Sequence, residues 1–132
     1  MCEGNTCDIN CPGGGADCFG TDGDDVICGS NAGETVHAGD GDDIVCGEGG
    51  TDILKGGWGC DSLYGGSGDN DILMGGLCAD YFDGGDGSGD TCLGGWGQDV
   101  FTDTGSCENL DQGQTDNHKS QGDCGSCTPP GD

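Results

Sequence analysis

The sequence predicts an all-β fold, a parallel β-solenoid of about five coils with two repeats to a coil and disulfide-rich ends. Three observations predict it. One apolar residue recurs at a nearly constant interval between Gly20 and Thr102, glycines open each unit, and an acid stands two residues before each apolar position.

The apolar positions are Ile27, Val36, Val45, Leu54, Leu63, Leu73, Phe82, Cys92 and Phe101, spaced by nine residues and by ten at Leu73 and Cys92. The acids in register with them are Asp25, Glu34, Asp43, Asp52, Asp61, Asp71, Asp80, Asp90 and Asp99. Neighbouring residues of a strand point to opposite faces, so a short strand in each unit turns one apolar side chain inward. A single strand of this kind cannot bury that side chain, whereas stacked copies can. The residues between strands must reverse the chain, and glycine supplies the positive φ and the close backbone approach that such turns need. Two units then make one coil. Ile27, Val45, Leu63, Phe82 and Phe101 are expected to stack on one wall, and Val36, Leu54, Leu73 and Cys92 on the other.

Nine units in phase, exemplified by Gly56-Gly57-Trp58-Gly59-Cys60-Asp61-Ser62-Leu63-Tyr64, resemble the glycine-rich calcium-binding nonapeptide of the repeats-in-toxin (RTX) proteins. The resemblance implies a right-handed β-roll with a row of calcium ions along each edge, each ion shared between a turn and the next turn on that edge. The thin core makes such a cation useful. Turns piled at the strand spacing bring their acids together, and calcium takes six to eight oxygens from carboxylates and carbonyls. The expected oxygen donors are Asp22, Asp24, Asp25, Glu34, Asp40, Asp42, Asp43, Asp52, Asp61, Asp69, Asp71, Asp80, Asp86, Asp90 and Asp99. Asp17, Asp103, Asp111, Asp116 and Asp123 fall out of register and read as solubilising charges.

The chain of 132 residues divides into a cysteine-rich N-terminal cap (1–19), the calcium-binding β-roll (20–110) and a polar cysteine-containing tail (111–132). Leu110 lies nine residues after Phe101 and keeps the beat, so a final strand is expected there. A net charge of −24 argues against nucleic acid or an anionic membrane as partner, and no apolar run reaches spanning length. No secretory signal follows Met1, so any targeting segment is expected to have been removed or to lie outside this sequence.

Twelve cysteines point to an oxidising, extracellular location and to cleavable-signal secretion. RTX proteins generally avoid cysteine, and the chain departs from the family there. The eighteen-residue coil predicts bridges between Cys28 and Cys46 and between Cys60 and Cys78, against free thiols as the alternative. Cys124 and Cys127 read as a structural bridge in the tail rather than half a zinc site or a redox pair.

Trp58, Leu77 and Trp96 share the third place of successive turns and form an expected apolar ridge, unless they fold over to shield adjacent turns. Outward strand positions are also apolar: Val26 and Ile44 on one wall, and Ile53, Ile72, Met74 and Leu93 on the other. Such a wall marks a contact surface. Catalysis finds little support, since His37 and His118 are the only histidines and the aspartates follow the repeat. Three classes of function stay open. The chain is a calcium-stabilised extracellular module serving adhesion or self-assembly, a subunit of an end-to-end filament, or a repeat fragment of a larger secreted enzyme or toxin.

Overall fold

The computed structural model describes residues 2–95, 97, 99–102, 107 and 109–111, the last three by their backbone alone. Trp96, His118, Cys124, Cys127 and the rest of the tail from residue 112 lie outside the described residues.

Every described strand is short, as one inward residue per repeat requires. Numbered in chain order, β1 (Ile9–Asn10), β3 (Val26–Cys28), β5 (Ile44–Cys46), β7 (Ser62–Tyr64), β9 (Tyr81–Asp83) and β11 (Val100–Phe101) form one parallel sheet. The second sheet contains β2 (Asp17–Phe19), β4 (Thr35–Gly39), β6 (Ile53–Gly57), β8 (Ile72–Gly76), β10 (Thr91–Gly95) and β12 (Asn109–Asp111). The chain alternates between the sheets, so two repeats make one coil. Residues of successive coils lie in register, as in Ile27 with Val45, Val45 with Leu63 and Leu63 with Phe82.

The core is the pair of facing apolar rows. Ile27, Val45, Leu63 and Phe82 from one sheet and Val36, Leu54, Leu73 and Cys92 from the other are fully buried. Phe101 continues the first row and stacks on Phe82 at 4.9 Å between ring centroids. Where a unit has ten residues the strands still match, Leu54 with Leu73 and Leu73 with Cys92. The extra residue is absorbed in the turn, where Asn70 and Gly89 take positive φ.

The solenoid begins earlier than residue 20. β1 pairs Ile9 with Ile27, and β2 pairs Cys18 with Val36, so the N-terminal segment supplies a first coil as well as its cysteines. At the other end β12 pairs with β10, placing Leu110 opposite Cys92 as the nine-residue beat predicts.

The expected bridge between Cys28 and Cys46 does not form. The two are register partners in the parallel sheet, with side chains that run parallel about 4.8 Å apart, beyond the Cβ separation a disulfide spans. Each takes a cysteine from the N-terminal segment instead: Cys2 bonds Cys46, Cys7 bonds Cys28, and Cys11 bonds Cys18. Cys92 bonds Cys107 near the other end. Cys60 and Cys78 are both disulfide-bonded, but their expected mutual bridge is not among those joining described residues. The ten-residue step makes the local coil interval nineteen, as in the bond from Asp61 to Asp80, so the two do not stack: Cys78 falls in line with Gly59 and Cys60 with Ala79.

The outward residues at the N-terminal end of the first sheet are covered, whereas Val100 at its other end is exposed. Val26, Ile44 and Tyr64 pack with Cys2, Cys7, Cys28 and Cys46 into a small second cluster under the N-terminal segment. On the second sheet Ile53 lies in register with Ile72, and Met74 with Leu93, on the outer face. Phe19 at 63% and Met74 at 37% are among the most exposed large apolar residues, and Phe19 stacks on His37.

Candidate metal edges

The repeat fixes where each acid goes. An acid two residues before an inward apolar residue also faces inward, at the mouth of the turn, and there Asp43, Asp52, Asp61, Asp71, Asp80 and Asp90 are almost wholly buried. Each inner carboxylate is anchored to the coil before it. The backbone N–H of Asp25 donates to Oδ1 of Asp43 (2.8 Å), that of Asp43 to Asp61 (2.9 Å), that of Asp61 to Asp80 (2.8 Å) and that of Asp80 to Asp99 (2.9 Å). The other edge repeats the ladder, from Glu34 to Asp52, Asp52 to Asp71 and Asp71 to Asp90.

One oxygen of each carboxylate is thereby used. The second, Oδ2, is buried without a hydrogen-bond partner in Asp43, Asp52, Asp61, Asp71, Asp80 and Asp99. A row of orphaned anionic oxygens is costly, because a buried charge needs pairing. Burial accordingly pushes these carboxyls up from the ordinary 3.8, against the opposing pull of the backbone hydrogen bond, and in all but Asp99 repulsion from neighbouring acids adds to it. Asp43, Asp52 and Asp99 reach about 7, Asp61 about 8 and Asp80 about 10, and Asp71 is also raised.

The glycines that open the turns give the orphaned oxygens their room. A methyl group on Gly47 would collide with Oδ2 of Asp52 and lie 2.5 Å from the carbonyl oxygen of Gly65. One on Gly56 would meet Oδ2 of Asp61 and lie 2.9 Å from the carbonyl of Gly75, and one on Gly65 would meet Asp71 and the carbonyl of Gly84. Each opening therefore holds a carboxylate oxygen and a carbonyl of the next coil side by side. Among the described residues no three acidic, histidine or cysteine side chains converge on one point. The donors are hard oxygens, one carboxylate joined by backbone carbonyls, which is a set suited to calcium.

The remaining acids expected as ligands occupy a different place. Asp22, Asp24, Asp40, Asp42, Asp69 and Asp86 are exposed on the turns. Three of them tie coils together in the opposite sense to the inner acids. Oδ1 of Asp24 accepts from the N–H of Asp42, that of Asp42 from Cys60, and that of Asp69 from Ser88. Asp25 and Glu34 belong to the inner rows but are satisfied differently. Asp25 accepts from the N–H and hydroxyl of Thr21, and Glu34 from those of Ser30. The sequence reading missed Thr21 and Ser30; their signal is a hydroxyl residue four positions before the register acid. Trp58 is exposed and Leu77 half-buried, in equivalent places whose N–H groups donate to the carbonyls of Gly39 and Gly57.

A family model described as the RTX calcium-binding nonapeptide repeat, four copies to the model, matches residues 19–54, 29–63, 37–70, 56–90 and 70–101. The matches together cover more than half of the chain and include every orphaned carboxylate. No curated protein matches, and no solved structure matches.

Proposed function

The chain belongs to the RTX calcium-binding nonapeptide-repeat family, and from that premise we propose that it is an extracellular structural module that acquires its order on binding Ca2+. The observation that carries the reading is the row of buried, orphaned Oδ2 atoms on Asp43, Asp52, Asp61, Asp71, Asp80 and Asp99. Calcium supplies positive charge and open coordination to oxygen, which answers those orphans and the repulsion between coils. The carboxylates hold and the glycine openings admit.

In this reading the chain is not an enzyme, since its inner carboxylates are committed to the metal edges. Its partners are calcium and further copies of itself, with no nucleic acid and no membrane insertion, in keeping with a net charge of −24. The location rests on the cystines, which persist outside reducing compartments. Adhesion or self-assembly through the outer face of the second sheet is favoured by the exposed Phe19 and Met74.

Circular dichroism of the oxidised chain with and without chelator tests the central claim. Most of the β signal is expected to disappear with the metal. An unchanged spectrum in the chelated and reduced sample overturns it.

A further inference from the structure

We propose that Thr21 and Ser30 set where the calcium rows begin: the turns they occupy close on themselves without a cation, and metal enters from the turn closed by Asp43 onward. The inference rests on the calcium-binding reading and adds which turns take the ion.

Two independent observations separate turns 20–25 and 29–34 from those that follow. The first is hydrogen bonding. In turn 20–25 the N–H of Thr21 donates to Oδ2 of Asp25 at 2.7 Å, and its hydroxyl lies 2.9 Å from the same oxygen. In turn 29–34 the N–H of Ser30 donates to Oε1 of Glu34 at 2.6 Å, and its hydroxyl donates to Oε2 at 2.7 Å. Both oxygens of Glu34, and the Asp25 oxygen that corresponds to the orphans, are therefore occupied. In the later turns that oxygen is orphaned on Asp43, Asp52, Asp61, Asp71, Asp80 and Asp99.

The second observation is backbone conformation at the same place. The residue after the opening position has positive φ in each later turn: Gly39 (99°), Glu48 (80°), Gly57 (97°), Gly66 (106°), Gly76 (97°), Gly85 (90°) and Gly95 (81°). Thr21 and Ser30 are not among the residues with positive φ. A β-branched residue avoids that region, so Thr21 keeps an ordinary φ and aims its N–H at its own acid. Glu48 shows that φ, rather than glycine itself, makes the difference. Ser67 shows that a hydroxyl alone does not close a turn. It lies four residues before Asp71, yet its N–H and hydroxyl both go to the carbonyl of Glu48.

The disulfides Cys7–Cys28 and Cys11–Cys18 fall on these same early coils, and Cys2–Cys46 ties the N-terminal segment to the coil that follows them. Bridges and self-closed turns together give the solenoid a metal-independent first stretch on which the calcium-dependent coils stack.

The test is amide hydrogen exchange by NMR on the full oxidised chain, in chelator and in calcium chloride, with calcium stoichiometry measured in parallel. The amides of Thr21 and Ser30, which donate within their own turns, are expected to stay protected in both samples. Those of Asp52, Asp61, Asp71 and Asp80 are expected to be protected only in calcium. The double variant T21G/S30G, which restores the glycine, is expected to bind one further ion per altered turn and to make the early amides calcium-dependent. Calcium-dependent protection spread evenly over both groups in the unaltered chain overturns this inference alone. No calcium-dependent protection anywhere overturns the calcium-ordering reading and this inference with it.

Discussion

The backbone N–H of Asp43 donates to Oδ1 of Asp61, 2.9 Å away and one coil further on, while Oδ2 of the same Asp61 is buried without a partner. One carboxylate thus fastens two coils through one oxygen and keeps the other for a cation. The two roles separate by substitution. Asp61→Asn retains the acceptor for Asp43 and replaces the orphan by an amide able to donate to the nearby carbonyl of Gly75. In chelator the variant is expected to be more stable than the parent by about 1–3 kcal/mol, since an unsatisfied buried group is removed. In calcium it is expected to bind fewer ions and to gain less from them. Circular dichroism in chelator and thermal unfolding in calcium check this, and a variant with less β signal than its parent in chelator contradicts it.

Acid should order the calcium-free chain. Asp43, Asp52 and Asp99 are raised to about 7 and Asp61 to about 8, from 3.8. A folded-state pKa above the unfolded value means that the fold binds protons more tightly than the unfolded chain. The resulting stability is complete below about pH 4 and fades as the pH rises through about 7 to 8. The chelated sample should therefore gain β signal between pH 8 and pH 5. Calcium competes with those protons, so the loaded sample should lose ions over the same range. Circular dichroism and calcium titration at several pH values measure both trends, and a flat profile in chelator is the contrary result.

Gly47→Ala places a methyl group on Oδ2 of Asp52 and against the carbonyl of Gly65. Overpacking of this kind costs about 1–3 kcal/mol, and it also fills the opening in which the two oxygens meet. The variant should melt earlier in calcium and bind less of it. Gly23→Ala is the matched control. A methyl there finds only the Thr21 hydroxyl, at 3.7 Å, so the melting temperature should stay near that of the parent.

The repeat made the two apolar rows and the inner acid ladders legible, because a strict interval fixes which residues stack. Ile27 over Val45 and Asp43 over Asp61 follow from spacing alone. The first coil was harder to see. Ile9 and Cys18 keep the beat, but Cys7 and Ala16 stand where the acids belong. The cystine pairs are not legible in the spacing, for two reasons. Spacing shows which cysteines stack, whereas a disulfide needs side chains that approach, and parallel neighbours such as Cys28 and Cys46 do not. At Cys60 and Cys78 the extra turn residue makes the interval nineteen rather than eighteen. Asp24, Asp42 and Asp69 differ from the inner acids by only one or two positions, yet they lie on the opposite side of the backbone and bond to the next coil.

Lateral association should require calcium. The outer face of the second sheet carries two parallel rows, Asp17, Thr35, Ile53, Ile72 and Thr91 in one, and Phe19, His37, Lys55, Met74 and Leu93 in the other. Met74 is exposed and Ile53, Ile72 and Leu93 are half-buried, which gives an apolar strip beside Lys55, while the exposed Phe19 is separated from it by His37 and Lys55. Burial of such a strip against a second copy is favourable at about 25 cal/mol per Å2, but two chains of net charge −24 repel one another at low ionic strength. Calcium bound along the edges removes part of that charge, and salt screens more of it, since the Debye length falls to about 10 Å at 0.1 M. Light scattering at high protein concentration should therefore report a monomer in chelator and low salt, and larger species in millimolar calcium with added salt. Ile72→Lys and Met74→Lys place like charges beside Lys55 on the strip and should return the loaded protein to a monomer while leaving its circular dichroism intact. A loaded chain that stays monomeric throughout removes the wall as a contact surface, and association that survives both lysines moves the contact to the ends of the solenoid.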